Sequence, residues 1–183
     1  MNIELLKSSR EITREVQQRE RDVYTLLDSL GIQYELAVHD AAADMDACDA
    51  VSAAVGVDIC KNLFLCNRQQ THFYLLLMPA HKPFKTKELS AQINSARLSF
   101  AGEEHMKQLL NILPGSVSVM GLMNDKQNRV ELLIDEDLLG EGFLGCHPCV
   151  NTATIKLKTA DVLNVFLPFV KHTYTKVTLK GTD

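Results

Sequence analysis

Apolar residues at Val16, Val23, Leu26, Leu27 and Leu30 recur at helical spacing, and Gly31 stands where a left-handed residue would end the helix. Residues 32–36 then read as a strand, and the Ala- and Asp-rich stretch 41–55 reads as a second helix ending near Gly56. Two apolar runs rich in Phe, Tyr and Leu, 62–66 and 71–78, flank the polar turn 67–70 and predict a hairpin. A short helix is expected over 87–95. Met106, Leu109, Leu110 and Leu113 form an i, i+3, i+4, i+7 stripe that stops at Pro114-Gly115. Residues 116–120 read as extended, and Val130, Leu132 and Ile134 alternate with polar neighbours as a half-buried strand would. The last third predicts a strand over 152–157, a helix over 159–170 that Pro168 kinks or shortens, and a Thr-rich strand over 173–179. Helices and strands in mixed order, with a hairpin, give an α+β fold rather than a doubly wound one.

Composition adds little to this pattern except by exclusion. The 183 residues suit one domain, and 46% hydrophobic against 23% charged is globular rather than disordered composition. No apolar run approaches the ~20 residues of a membrane span, and charge throughout the first 21 residues is unlike a secretory signal, so a cytoplasmic protein is expected. Five cysteines, an odd number, predict free thiols. A net charge of -4 counts against nucleic-acid binding, yet the charges segregate. Acids gather at Asp40, Asp44, Asp46 and Asp49 and at 135–137, whereas Lys82, Lys85, Lys87 and Arg97 form a basic stretch. A basic face on an acidic protein is therefore compatible with the sequence.

The chemistry concentrates in a few short motifs. These are Lys61-Asn62-Leu63-Phe64-Leu65, Leu98-Ser99-Phe100-Ala101, Pro114-Gly115-Ser116-Val117-Ser118, and His147-Pro148 followed by Asn151-Thr152. Together with 30–35, they occur in the order that resembles the YbaK/prolyl-tRNA synthetase-associated domain family, in particular its free-standing ProX/PrdX trans-editing members. The resemblance runs from about residue 23 to 169. It implies an α+β fold with a mixed, mainly antiparallel sheet flanked by helices, no metal and no cofactor. It also implies hydrolysis of mischarged tRNA(Pro), with alanyl-tRNA(Pro) ahead of the cysteinyl ester. Prolyl-tRNA synthetase is a further expected partner, and the protein is expected as a monomer or homodimer. Residues 1–17 lie outside the resemblance and are expected as a helical extension preceding an editing domain at 18–183.

The resemblance assigns Lys61 and His147 as catalytic residues. A lysine ammonium is a compact cation suited to a phosphate or to charge developing on an ester carbonyl. His147, held extended by Pro148, would orient substrate or water, and an imidazole can also act as a base near neutrality. Gly115, Ser116, Ser118, Val119, Pro148, Asn151 and Thr152 are the implied substrate-binding set. Two departures stand out. Val119 replaces the proline of the family's Gly-x-x-x-Pro loop and removes a rigid point, and Asp44 stands where a threonine usually enters the helix, although it can still cap it.

Two other classes fit parts of the chain. Cys146-His147-Pro148-Cys149 is formally a Cys-x-x-Cys, but zinc needs two more ligands, and no second Cys-x-x-Cys or His-x-x-x-His exists. A thioredoxin-like site would follow an early strand and open a helix, whereas this motif comes late. The other alternative is a family fold that has lost catalysis and binds tRNA ends or amino acids as a regulatory module.

Overall fold

In the computed structural model, which describes residues 1–182, every side chain of one strand is buried, and that strand organises the larger sheet. The elements run β1 (Ile3–Leu6), α1 (Gln18–Ser29), β2 (Tyr34–His39), α2 (Met45–Val55), β3 (Lys61–Cys66) and β4 (Phe73–Met78). Then follow α3 (Thr86–Gln92), β5 (Ser99–Phe100), α4 (Glu103–Leu110), β6 (Val130–Asp135), α5 (Glu136–Leu139), β7 (Phe143–Cys146) and β8 (Ala153–Lys158). A helical run over residues 159–169 and β9 (Tyr174–Val177) complete the chain. In β4, Phe73, Leu75 and Leu77 enter the main core, while Tyr74, Leu76 and Met78 enter a second core beneath α3. Period-two alternation thus gives both sheet faces an apolar cover.

Two sheets result. The first, in the order β1-β2-β8-β7, is antiparallel throughout. The second, β5-β3-β4-β6-β9, has antiparallel β5-β3 and β3-β4 pairs and parallel β4-β6 and β6-β9 pairs. The fold is therefore α+β with mixed, mostly antiparallel sheets. A parallel bridge between Ile59 and Gly145 joins the two, with the Cys60 amide donating to the Gly145 carbonyl at 3.0 Å.

Several expectations need correction. Residues 1–17 hold no α-helix; Ile3–Leu6 is a strand that pairs with β2, and only Ser9–Glu11 forms a 3-10 turn. The free backbone edge of β2 is a stronger partner for this short segment than its own helical turns, since buried amides must be paired. Residues 116–120 are not a strand. The Ser118 hydroxyl accepts from the Met120 amide and caps a 3-10 helix, Val119–Asn124. β6 is more than half-buried, because Leu133 is covered by the second core and Asp135 by Lys82 at 2.7 Å. The stripe ending in α4 stops at Asn111, which is left-handed (φ 53°), and leaves Leu113 exposed. Near Pro168, the run consists of α6 (Thr159–Asp161), a π-turn (Val162–Phe166) and α7 (Leu167–Phe169). Strands β1, β5 and β7 and helix α5 were not foreseen.

The N-terminal segment is pinned by charge. Arg14 meets Glu20 with two hydrogen bonds, at 2.7 and 3.0 Å, and the Tyr24 hydroxyl donates to Glu20 at 2.8 Å. Glu20 is 0% exposed, so its carboxylate depends on these partners. Replacing Glu20 with alanine leaves the phenol without its acceptor and the guanidinium, still bonded to the Glu15 and Thr152 carbonyls, without its carboxylate. We expect Glu20→Ala to lose about 3 kcal/mol of stability in urea denaturation; a change below about 0.5 kcal/mol would contradict the buried pair.

Candidate active site

The bridge between the sheets sets up the site. In parallel register, Ile59 opposes Gly145, so Lys61 and His147 each follow two residues later, one opening β3 and the other leaving β7. Both line one cavity of about 210 Å³, together with Gly115 and Asn62. Its remaining wall comes largely from α2, where Met45, Cys48, Asp49 and Ser52 fall at i, i+3, i+4 and i+7 and so share a helix face. Asp44 caps that helix by accepting from the Ala47 amide at 2.8 Å. Its carboxylate is not in the cavity wall; the acid that is, Asp49, faces His81 at 3.2 Å.

The Lys61 ammonium donates to the Lys82 carbonyl at 2.9 Å. No carboxylate pairs with it among the described residues, and partial burial lowers its pKa from the ordinary lysine value. An ammonium has three protons to give, so two remain for a ligand. His147 is 8% exposed, and its Nδ1 lies 2.9 Å from the Ala153 carbonyl. A carbonyl can only accept, so Nδ1 carries the proton and Nε2 keeps a lone pair. Nε2 has no hydrogen-bond partner among the described residues. Burial, and the nearby His39 ring 6.3 Å away, lower the pKa of His147 and keep the ring neutral. The site therefore offers a cation and a neutral acceptor within one small hollow.

The aminoacyl-tRNA editing domain family matches residues 39–165 of this chain. The chain belongs to that family. Over 140 residues it is 32% identical to the prolyl-tRNA editing protein ProX of Acetoanaerobium sticklandii, covering 76% of this chain and 85% of that protein. It is also 32% identical over 125 residues to prolyl-tRNA synthetase associated domain-containing protein 1 of Danio rerio, covering 67% of this chain and 66% of that one. A solved structure described as a candidate trans-editing enzyme for prolyl tRNA synthetase superposes with a TM-score of 0.67 at 16% identity, over 90% of this chain and 99% of that one. That likeness shows the fold.

Within this editing domain the remaining sequence-predicted residues separate into two groups. Gly115 lies in the cavity wall and adopts φ +83°, which glycine tolerates; a Cβ there would sit 3.7 Å from the Asn151 amide nitrogen. Ser116, Ser118, Val119, Pro148, Asn151 and Thr152 do not line the cavity. Ser118 is 0% and Val119 1% exposed, so both act from within the core. The Asn151 and Thr152 carbonyls accept from the Ala42 and His39 amides, each at 3.0 Å, and tie the loop after His147 to the entry of α2.

Asn62 belongs to the quoted motif yet has no role assigned from sequence. Its amide Nδ2 donates to the Cys60 carbonyl at 2.9 Å, and its Oδ1 accepts from the Val119 amide at 3.1 Å. A proline at position 119 has no N–H to give. The departure at Val119 thus exchanges a rigid ring for a hydrogen bond to β3 that holds the Gly115–Val119 loop beside Lys61. Helix-face residues Cys48, Asp49 and Ser52 were also missed; with Met45 they fall at i, i+3, i+4 and i+7, which was the available signal. The Cys-x-x-Cys does not present a reactive thiolate. Cys146 and Cys149 are buried, burial pushes Cys149 up to about 12 and raises Cys146 as well, and Cys60 is pushed up to about 11.

His147 and His39 both have pKa values lowered by burial. Between those folded-state values and the unfolded value of ~6.5, the unfolded chain binds more protons, so stability rises with pH there. The contribution is complete above pH ~6.5 and is lost as the pH falls through the folded values. We expect the urea midpoint to drop between pH 7.5 and pH 5.5, with a smaller drop in His147→Gln, and nitrogen NMR to show the Nδ1–H tautomer. An Nε2–H tautomer at pH 7.5 would contradict the assigned geometry.

Proposed function

We propose that this chain is a trans-editing deacylase that hydrolyses the aminoacyl ester of mischarged tRNA(Pro), with alanyl-tRNA(Pro) as the preferred substrate. The observation that carries this reading is the convergence of Lys61, His147 and Gly115 on one small cavity. The relative from Acetoanaerobium sticklandii, named a prolyl-tRNA editing protein, supports the choice of tRNA.

Ester hydrolysis needs water at the carbonyl carbon, charge stabilisation on the carbonyl oxygen, and a proton for the departing ribose oxygen. The neutral Nε2 of His147 accepts a hydrogen bond from the attacking water or the substrate amine and holds it against the ester, and the proton that the water gives up passes to the ribose oxygen, which departs as the hydroxyl as the C–O bond breaks. The two unused protons of Lys61 stabilise the developing oxyanion or the terminal phosphate. An aminoacyl ester is already activated, so positioning and partial exclusion of solvent suffice, and no protein nucleophile is involved. The cavity wall carries the apolar Met45, Ile59, Ala80 and Val117, which suit a small side chain. Editing is needed here because a synthetase pocket shaped for proline rejects a smaller amino acid by only ~1–3 kcal/mol per methylene.

The test is ester loss from alanyl-, cysteinyl- and prolyl-tRNA(Pro), each mixed with the protein. We expect fast loss of the alanyl ester and survival of the prolyl ester. Lys61→Ala should lower kcat/KM roughly 100-fold or more. Inertness toward all three esters, with tRNA still bound, would replace the deacylase with a binding module.

A further inference from the structure

The most exposed large aromatic of the chain lies on the strand edge leading away from the cavity. Phe100 is 64% exposed and sits on β5 opposite Leu65 of β3. Paired residues share a sheet face, and alternation puts Lys61, Leu63 and Leu65 on that same face. The neighbouring segment runs alongside: the Lys82 carbonyl accepts a hydrogen bond from the Lys61 ammonium, and two residues later Phe84 meets Phe100 edge-on, with centroids 6.2 Å apart at 63°. A track along the 82–84 segment thus leads from the Lys61 ammonium to the Phe84–Phe100 pair, over Leu63 and the buried Leu65, which belong to the second core. At ~3.3 Å per strand residue, Lys61 and Leu65 are separated by about 13 Å. That is roughly four nucleotides of stacked single strand at ~3.4 Å each.

Charge along the track favours a polyanion. Lys87 follows Phe84 at three residues, and Arg97 precedes β5. Lys82 is engaged by Asp135 and Asp137, while the Glu88 carboxylate is held by the Lys180 and Gly181 amides. Glu103 and Glu104 open α4 just beyond Phe100 and disfavour a phosphate chain continuing past it. Unpaired bases stack on aromatic faces irrespective of sequence, and a basic border holds their phosphates.

We infer that Phe100, backed by Phe84, is a stacking platform for an unpaired base in the single-stranded 3′ end of the tRNA whose terminal ester occupies the cavity. This rests on the deacylase reading for the identity of the RNA, and the test separates the two. Three quantities are measured for the full-length protein: affinity for a labelled, uncharged RNA oligonucleotide ending in CCA, kinetics on alanyl-tRNA(Pro), and hydrolysis of the alanyl ester of adenosine alone. Phe100 is exposed, so its variants should fold. Phe100→Ala is expected to weaken oligonucleotide binding and raise the tRNA KM about tenfold, with kcat and adenosine-ester hydrolysis unchanged. Phe100→Tyr should retain binding, and Phe100→Leu, apolar without a π-face, should lose it like alanine.

Unchanged oligonucleotide affinity in Phe100→Ala, or full binding by Phe100→Leu, overturns the platform. So does a variant that changes sedimentation mass but not RNA affinity, because the face would then meet a second copy of the chain. Phe100-dependent oligonucleotide binding without hydrolysis of either ester keeps the platform and removes the deacylase. Hydrolysis with a Phe100-independent KM does the reverse.

Discussion

The isolated parallel bridge between Ile59 and Gly145 is the constraint from which the site follows. It is a close approach that a side chain would obstruct: a Cβ on Gly145 would lie 3.0 Å from the Asp58 carbonyl oxygen and from Val57 Cγ1, and 3.2 Å from Ile59 Cα. Glycine allows the two sheets to meet at backbone distance. Parallel register then delivers Lys61 and His147 from strands more than eighty residues apart in sequence to one hollow. Each sheet has its own apolar cover, so the meeting point is held on both sides by packed strands.

Burial sets the character of what is delivered. Lys61 donates to a carbonyl rather than a carboxylate, so its charge is not neutralised before a substrate arrives. His147 is desolvated and locked by the Ala153 carbonyl, which fixes the proton on Nδ1 and turns the basic nitrogen free. Asn62 ties β3 to the loop after Gly115, donating to the Cys60 carbonyl and accepting from the Val119 amide. On the proposed reading the protein supplies orientation and a preorganised cation, and the reactivity resides in the ester itself.

Much of this was legible in the chain, and the illegible parts share a cause. Helices α1, α2 and α4 and the β3-β4 hairpin announce themselves through local periodicity, as does the Asp44 cap. The motifs containing Lys61 and His147 name two side chains that line the cavity. Non-local pairing is what the sequence concealed. β1 is a strand because β2 offers an edge, β5 because β3 does, and neither segment carries a local pattern long enough to show it. β6 looked half-buried because Asp135 reads as a surface acid, and Lys82, 53 residues away, explains its burial together with the Asp137 amide. The Ser118 and Val119 backbone turns inward because Asn62 accepts from it, a contact spanning 57 residues. Ser118 and Val119 therefore serve the loop from behind rather than facing a substrate.

The central claim is that Lys61 and His147 act on one ester in one cavity. A double-mutant cycle measures this directly: single-turnover deacylation of alanyl-tRNA(Pro) by the wild type, Lys61→Ala, His147→Ala and the double variant. The account predicts strong non-additivity, with the double variant scarcely slower than the worse single variant, because residues that act as a unit fail together. Losses that simply multiply would show two groups working independently and would contradict it.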